Sequence, residues 1–145
     1  MLKRYFHILF LFFFVIILHG LIPAQTYSLK VVIEGVQEVQ GKIQMGLFND
    51  AGDFLETDSE FRVVSIAIDT TTMIFNFQSL PAGKYAISLY HDLDASGDIE
   101  KNFIGFPLEP FGISNDAWNR FSAPRWKEAS FHVRADTTIV IHLKH

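Results

Sequence analysis

Residues 80–100 read Leu80-Pro81-Ala82-Gly83-Lys84-Tyr85-Ala86-Ile87-Ser88-Leu89-Tyr90-His91-Asp92-Leu93-Asp94-Ala95-Ser96-Gly97-Asp98-Ile99-Glu100. A Pro-Ala-Gly turn gives way to strict alternation, with Tyr85, Ile87 and Leu89 on one side, which is the two-residue period of a strand buried on one face. That strand runs straight into Asp92–Glu100, where four carboxylates and one hydroxyl surround a glycine. Oxygen donors at alternate positions suit a hard divalent cation; calcium takes about 6–8 of them at roughly 2.3–2.6 Å.

The same alternation recurs outward from this stretch. Leu29, Val31 and Ile33 alternate with polar neighbours, as do Ile43, Met45 and Leu47; then come Val64, Ile66 and Ile68, and Met73, Phe75 and Phe77. At the end of the chain, a loop at Ala135-Asp136-Thr137 would set Val133 opposite Ile139, Phe131 opposite Ile141 and Ala129 opposite Leu143, the pattern of a half-buried antiparallel hairpin. Seven strands follow, at about 27–34, 41–49, 62–69, 72–78, 84–92, 128–134 and 137–143. Seven short strands with turns between them predict an all-β, immunoglobulin/prealbumin-like two-sheet sandwich, with a closed barrel as the alternative.

A long aromatic loop after the fifth strand, Phe103–Lys127, breaks the alternation. It carries Phe103, Phe106, Phe111, Trp118, Phe121 and Trp126, too apolar for a disordered connection, so an ordered flap over one end of the sandwich is expected. Ser114 or Asn115 is expected to cap a helical turn through Asp116–Arg120.

The N-terminus is of another kind. Lys3 and Arg4 precede an apolar run from Ile8 to Leu18, and Pro23-Ala24 precedes Gln25. This is the pattern of a secretory signal peptide over residues 1–24, cleaved after Ala24, leaving a single domain at 25–145. An uncleaved anchor is the alternative, since Tyr5–Ile22 approaches the ~18–20 apolar residues that span a bilayer; His7, His19 and Pro23 fit the cleaved form better. The expected location is secreted or periplasmic, with no membrane insertion after cleavage. Losing Lys3 and Arg4 leaves 10 basic residues against 16 acidic ones and a net charge of −6, which argues against nucleic acid. There is no cysteine, hence no disulfide or thiolate site, so the core, supplemented by a metal, must hold the exported domain together.

Set against the EF-hand pattern, Asp92, Asp94 and Ser96 stand at positions 1, 3 and 5, Gly97 at 6, Asp98 at 7 and Glu100 at 9. Phe103 stands where the bidentate glutamate belongs, and the flanks are a strand and a flap instead of two helices. The expected metal ligands are therefore Asp92, Asp94, Ser96, Asp98 and Glu100, with Asn102 and Glu109 as candidates to close the site. Calcium is favoured over magnesium because the ligand set is flexible and rich in oxygen. The competing interpretation is a solvated acidic turn. His91, on the apolar face of its strand, is expected as a hydrogen-bonded core residue, with a supporting role behind the metal ligands as the alternative. His132 and His142 are expected to share the polar face of the final hairpin as surface residues, since two histidines alone make no zinc site.

The spacing His91-Asp92-x-Asp94-x-Ser96-Gly97-x-Ile99-Glu100-x-Asn102, followed by Gly105-x-Pro107-x-Glu109-x-Phe111-Gly112-x-Ser114-Asn115, resembles the signature of a bacterial exported family catalogued as domain of unknown function 2141. The likeness covers most of the chain after residue 24. Leu80-Pro81-Ala82-Gly83-x-Tyr85 is also similar to prealbumin-like and carboxypeptidase-regulatory-like sandwiches, which bears on fold alone.

Three function classes fit these residues. The first is a non-enzymatic binding module with a protein or glycan partner, its flap fixed by calcium. The second is a carbohydrate-binding domain using Trp118, Trp126, Phe106 and Phe111 as a stacking platform, against the plainer reading that these rings fill the open end of the sandwich. The third and weakest is a hydrolase with Glu100 and Glu109 as an acid/base pair. Gly112-Ile113-Ser114-Asn115-Asp116 lacks the second glycine of a nucleophile elbow, and no phosphate loop or His-Glu-x-x-His occurs.

Overall fold

The computed structural model describes residues 24–56, 58–119 and 122–145; the expected signal segment up to residue 23, Arg120 at the end of the expected helical turn, and Phe121 lie outside them. Among the described residues, eight strands form two sheets, of three and five strands. The strands are β1 (Thr26–Glu34), β2 (Lys42–Phe48), β3 (Arg62–Ala67), β4 (Met73–Pro81), β5 (Gly83–Asp92), β6 (Phe111–Ile113), β7 (Phe131–Val133) and β8 (Thr137–His142), with one short helix, α1 (Trp126–Ala129), before β7. The smaller sheet has the order β4-β1-β8, with β8 parallel to β1. The larger has the order β3-β2-β5-β6, and β7 also pairs with β5.

Alternation explains the core. Leu29, Val31 and Ile33 of β1, Ile43, Met45 and Leu47 of β2, and Tyr85, Ile87 and Leu89 of β5 are all buried in one cluster with Phe77, Val133 and Ile141. The chain leaves the smaller sheet after Pro81 and enters the larger at Gly83. There the Tyr85 hydroxyl donates to the Pro81 carbonyl at 2.8 Å. A Cβ at Gly83 would sit 3.1 Å from the Tyr85 ring, so glycine lets the ring fold back over the corner. One edge of each sheet is joined beyond β6 and β8, where Phe111 and Lys144 exchange backbone hydrogen bonds of 2.8 and 3.1 Å.

The expected terminal hairpin does not form. β7 pairs with β5, Val133 opposite Gly83, while β8 pairs with β1, Ile139 opposite Val31 and Ile141 opposite Ile33. The Ala135-Asp136 bend carries the chain from one sheet to the other, and Asp136 Oδ1 accepts the Ser28 N–H at 2.8 Å to fix the crossing. Val133 and Ile141 meet within the shared core instead of side by side in one sheet. Ala129 belongs to α1, so it does not oppose Leu143. His132 consequently lies opposite Lys84 on β5, and His142 lies in the other sheet with its Nδ1 2.6 Å from Asp116 Oδ2.

The flap is ordered but differs in detail. It contributes an eighth strand, β6, and a 3₁₀ turn at Ser114–Asp116 whose N-terminus has no side-chain cap. The Ser114 hydroxyl is occupied elsewhere: it accepts the Ile87 N–H at 2.9 Å and donates to the Ala129 carbonyl at 2.7 Å. This fully buried serine ties β5, the flap and α1 together.

Candidate metal centre

The acidic loop leaves the end of β5 and is folded by its own carboxylates. Asp92 is fully buried. Its Oδ1 accepts the Ser96 N–H at 2.9 Å, and its Oδ2 accepts the Gly97 N–H at 3.1 Å and the Gln44 side-chain amide at 2.9 Å. Asp94 Oδ1 also accepts from Ser96 N–H, at 3.0 Å. Ala95 and Gly97 take positive φ, 58° and 89°, to bring these amides inward, a conformation glycine adopts freely and alanine at some cost.

Glu109 closes the loop from sixteen residues beyond Leu93. Its Oε1 accepts the Leu93 N–H at 3.2 Å and its Oε2 the Glu100 N–H at 3.1 Å. One carboxylate therefore pins both ends of the acidic segment. Asp92, Asp94 and Glu109 each offer a carboxylate oxygen within 4.8 Å of the others. Two ligands on opposite sides of a calcium ion at roughly 2.3–2.6 Å lie up to about 5 Å apart, so the spacing fits. This acidic group could hold a metal ion.

The electrostatics favour a cation. Asp92 and Glu109 are 0% and 7% exposed. Among the described residues, no lysine, arginine or histidine nitrogen comes within 4.0 Å of these three carboxylates. Burial pushes the Asp92 carboxyl up, but hydrogen bonds from the Gln44 amide and the Gly97 and Ser96 N–H groups oppose it, and the group stays below the usual carboxylate range. Asp92 is therefore an anion at neutral pH. Tyr90 feels the field: burial first, then the charges of Asp92, Glu109 and Asp98, push its phenol up to about 12. Its hydroxyl donates to the Gly97 carbonyl at 2.7 Å, tying the loop to β5.

The other expected ligands stand apart from the convergent group. The Ser96 hydroxyl donates to the Asp98 carbonyl at 3.1 Å and lies 3.5 Å from Asp92 Oδ1. The Asp98 and Glu100 side chains are exposed. Asn102 Oδ1 accepts the N–H groups of Ile104 and Phe106, building a turn. His91 is buried, its Nε2 2.8 Å from the Gln40 carbonyl, so it steadies the β2 approach behind the loop. Gln40, Gly41 and Gln44 carry no sequence signal of their own, yet a Cβ at Gly41 would collide with the Asp92 carbonyl oxygen. Only their place around Lys42, the β2 residue opposite Asp92, marks them: Gln40 and Gly41 just precede it, and Gln44 lies opposite Tyr90.

The chain belongs to a family of uncharacterized proteins conserved in bacteria, DUF2141. The family's model matches residues 31–141, so it takes in the loop, Glu109 and most of both sheets. No curated protein and no solved structure matches the chain.

The expected aromatic platform of this DUF2141 chain is divided. Phe106, Phe111 and Trp118 line one shallow cleft, whereas Trp126 packs edge-on against Phe54, with ring centroids 5.7 Å apart, beside Ala86, Ile113 and Ala129. Trp126 thus fills the end of the core, and Trp118 remains 45% exposed.

Proposed function

We propose that this chain is an exported, non-enzymatic binding module in which calcium, held by Asp92, Asp94 and Glu109, fixes the loop and the flap that follows it. The observation that carries this reading is Glu109, a buried carboxylate returning from the flap to join two loop carboxylates with no cationic side chain beside them among the described residues. Water, backbone carbonyls and the nearby Asp98 or Glu100 would complete the coordination. The ion would offset the charge of the cluster and bind the flap to the end of β5. Affinity in the range of extracellular modules, ~10⁻⁴–10⁻³ M, is expected.

The signal-like N-terminus supports export to the periplasm or beyond. An immunoglobulin/prealbumin-like sandwich is supported by the hydrogen bond between Tyr85 and Pro81 where the chain changes sheet, which resembles a tyrosine corner. The test is thermal unfolding with and without calcium, followed by tryptophan fluorescence. Calcium at ten times its Kd adds about 1.4 kcal/mol and raises the melting temperature by roughly 4–8 °C. An unchanged spectrum and melting curve at millimolar calcium would overturn the reading.

A second reading, glycan binding, draws on the exposed Trp118 face beside Phe106 in the cleft. It is tested by retention on immobilised glycans: Trp118→Ala loses retention on an intact fold if the ring is a platform, and loses stability if it is core.

A further inference from the structure

Neither the core nor the metal centre uses the side chains at the tip of the flap. Residues 102–108 read Asn102-Phe103-Ile104-Gly105-Phe106-Pro107-Leu108, with no charged side chain among them. Phe103 is 99% exposed, Ile104 74% and Leu108 63%. Single exposed apolar residues are ordinary, whereas three within six residues of one turn mark a contact surface.

The backbone narrows what that surface meets. The Ile104 and Phe106 N–H groups both donate to Asn102 Oδ1, at 3.1 and 2.9 Å. The Gly105 N–H donates to the Asn102 carbonyl at 2.9 Å and the Leu108 N–H to the Glu100 carbonyl at 2.8 Å. Pro107 has no N–H. Every amide donor from Ile104 to Leu108 is therefore satisfied within the turn itself. Water or a protein partner can serve free donors, but hydrocarbon cannot, so a segment that enters lipid must close its own.

The layout of charge agrees. Glu100 and Lys101 stand at the root of the turn, just before Phe103. At about 3.3 Å per residue the tip reaches up to ~10 Å beyond Glu100, and interfacial segments bury their apolar side chains about 5–10 Å deep. The tip can enter the acyl boundary while the acidic loop stays in water.

We propose that this turn attaches the chain to the surface of a lipid bilayer, with Phe103 and Ile104 entering the interface and Leu108 beside them. The contact is no span: among the described residues, no helix is long and apolar enough to cross a membrane. It departs from the sequence expectation of no membrane insertion after cleavage. Three side chains bury less than one myristoyl chain, whose association constant is ~10⁴ M⁻¹, so attachment is reversible. The net charge of −6 after residue 24 favours zwitterionic over anionic headgroups. None of this rests on the metal reading.

The test is co-sedimentation of residues 25–145 with phosphatidylcholine vesicles in chelator, so that neither the signal-like segment nor a bound cation takes part. The wild type is expected to pellet at millimolar lipid. Phe103→Ser with Ile104→Ser lowers the association constant at least tenfold and leaves the urea midpoint in place, since both positions are exposed. The chain has no cysteine, so labelled Ile104→Cys reports on the tip, and labelled Val63→Cys, at a position 67% exposed on β3, serves as the control. Doxyl-labelled lipid should quench the first and spare the second. Protein that stays soluble at every lipid concentration, binding unchanged by the double substitution, binding that requires phosphatidylglycerol, or equal quenching at both positions would overturn the proposal. So would self-association without lipid that the same double substitution abolishes, which would assign the tip to a protein surface.

Discussion

Glu109 reaches back to the Leu93 backbone, its Oε1 accepting that N–H at 3.2 Å while Oε2 takes the Glu100 N–H at 3.1 Å. A single buried side chain thereby spans the base of the acidic loop. Its charge and its hydrogen bonds are partly separable. Glu109→Gln keeps one of the two acceptors, sets its NH2 against the other N–H and removes the anion, so the calcium-free protein should be destabilised less than by alanine while calcium affinity falls on the order of 10–100-fold. Glu109→Ala strips both acceptors and should cost about 1–2 kcal/mol even in chelator. Paired urea titrations with and without calcium separate the two effects.

Ser114 offers a stability test away from the metal. Its hydroxyl serves the Ile87 N–H at the end of the β5–β6 ladder and the Ala129 carbonyl of α1. Ser114→Ala leaves that buried N–H without an acceptor and should cost about 1–3 kcal/mol, read as a lower urea midpoint with an unchanged slope. A loss below a few tenths would mean that water replaces the hydroxyl.

Asp116 gives the acid limb of stability. Burial alone would raise its carboxyl, but hydrogen bonds from the His142 backbone and ring, with the charges of His142 and Lys144, hold it below the ordinary value of 3.8. A depressed folded-state value contributes stability that is fully present above 3.8 and is lost as pH falls through the lower folded value. Asp116→Asn should therefore flatten the decline of the urea midpoint below pH ~4 while lowering it at neutral pH. Identical pH profiles for the two proteins would contradict this.

Tyr90 reports on the charge at the loop. Its phenol, pushed up to about 12 from 10.0, favours folding below pH 10 and ceases to do so as pH rises through the folded value. A cation among Asp92, Asp94 and Glu109 would cancel part of the negative field, so calcium should bring Tyr90 ionisation to lower pH. Tyrosinate absorbance titrated with calcium and with chelator, with Tyr90→Phe as the subtraction, measures this. Coincident titration curves would mean that no ion sits near the ring.

How far the sequence led is clearest at the two ends of the fold. Alternation identified the buried faces of β1, β2, β4 and β5 because a two-residue period fixes which side chains point inward. It could not fix partners. Val133 and Ile141 are both fully buried, which a hairpin and a crossing between sheets satisfy equally; the crossing was decided by Asp136 capping Ser28, a contact between residues 108 positions apart. At the loop, the pattern of acids pointed to Asp92 and Asp94, and Glu109 was among the candidates. The hydrogen bonds from Gln44 and the close approach of Gly41 were not legible, because they depend on the register of β2 against β5. Trp126 was placed with the cleft aromatics on proximity in sequence, whereas α1 turns it toward Phe54.

Crystals of residues 25–145 grown in excess calcium would test the central claim most directly. The account predicts a single peak of density with oxygens of Asp92, Asp94 and Glu109 roughly 2.3–2.6 Å away, absent from crystals of Asp92→Asn. Those three carboxylates surrounding ordinary water in the presence of millimolar calcium would contradict it.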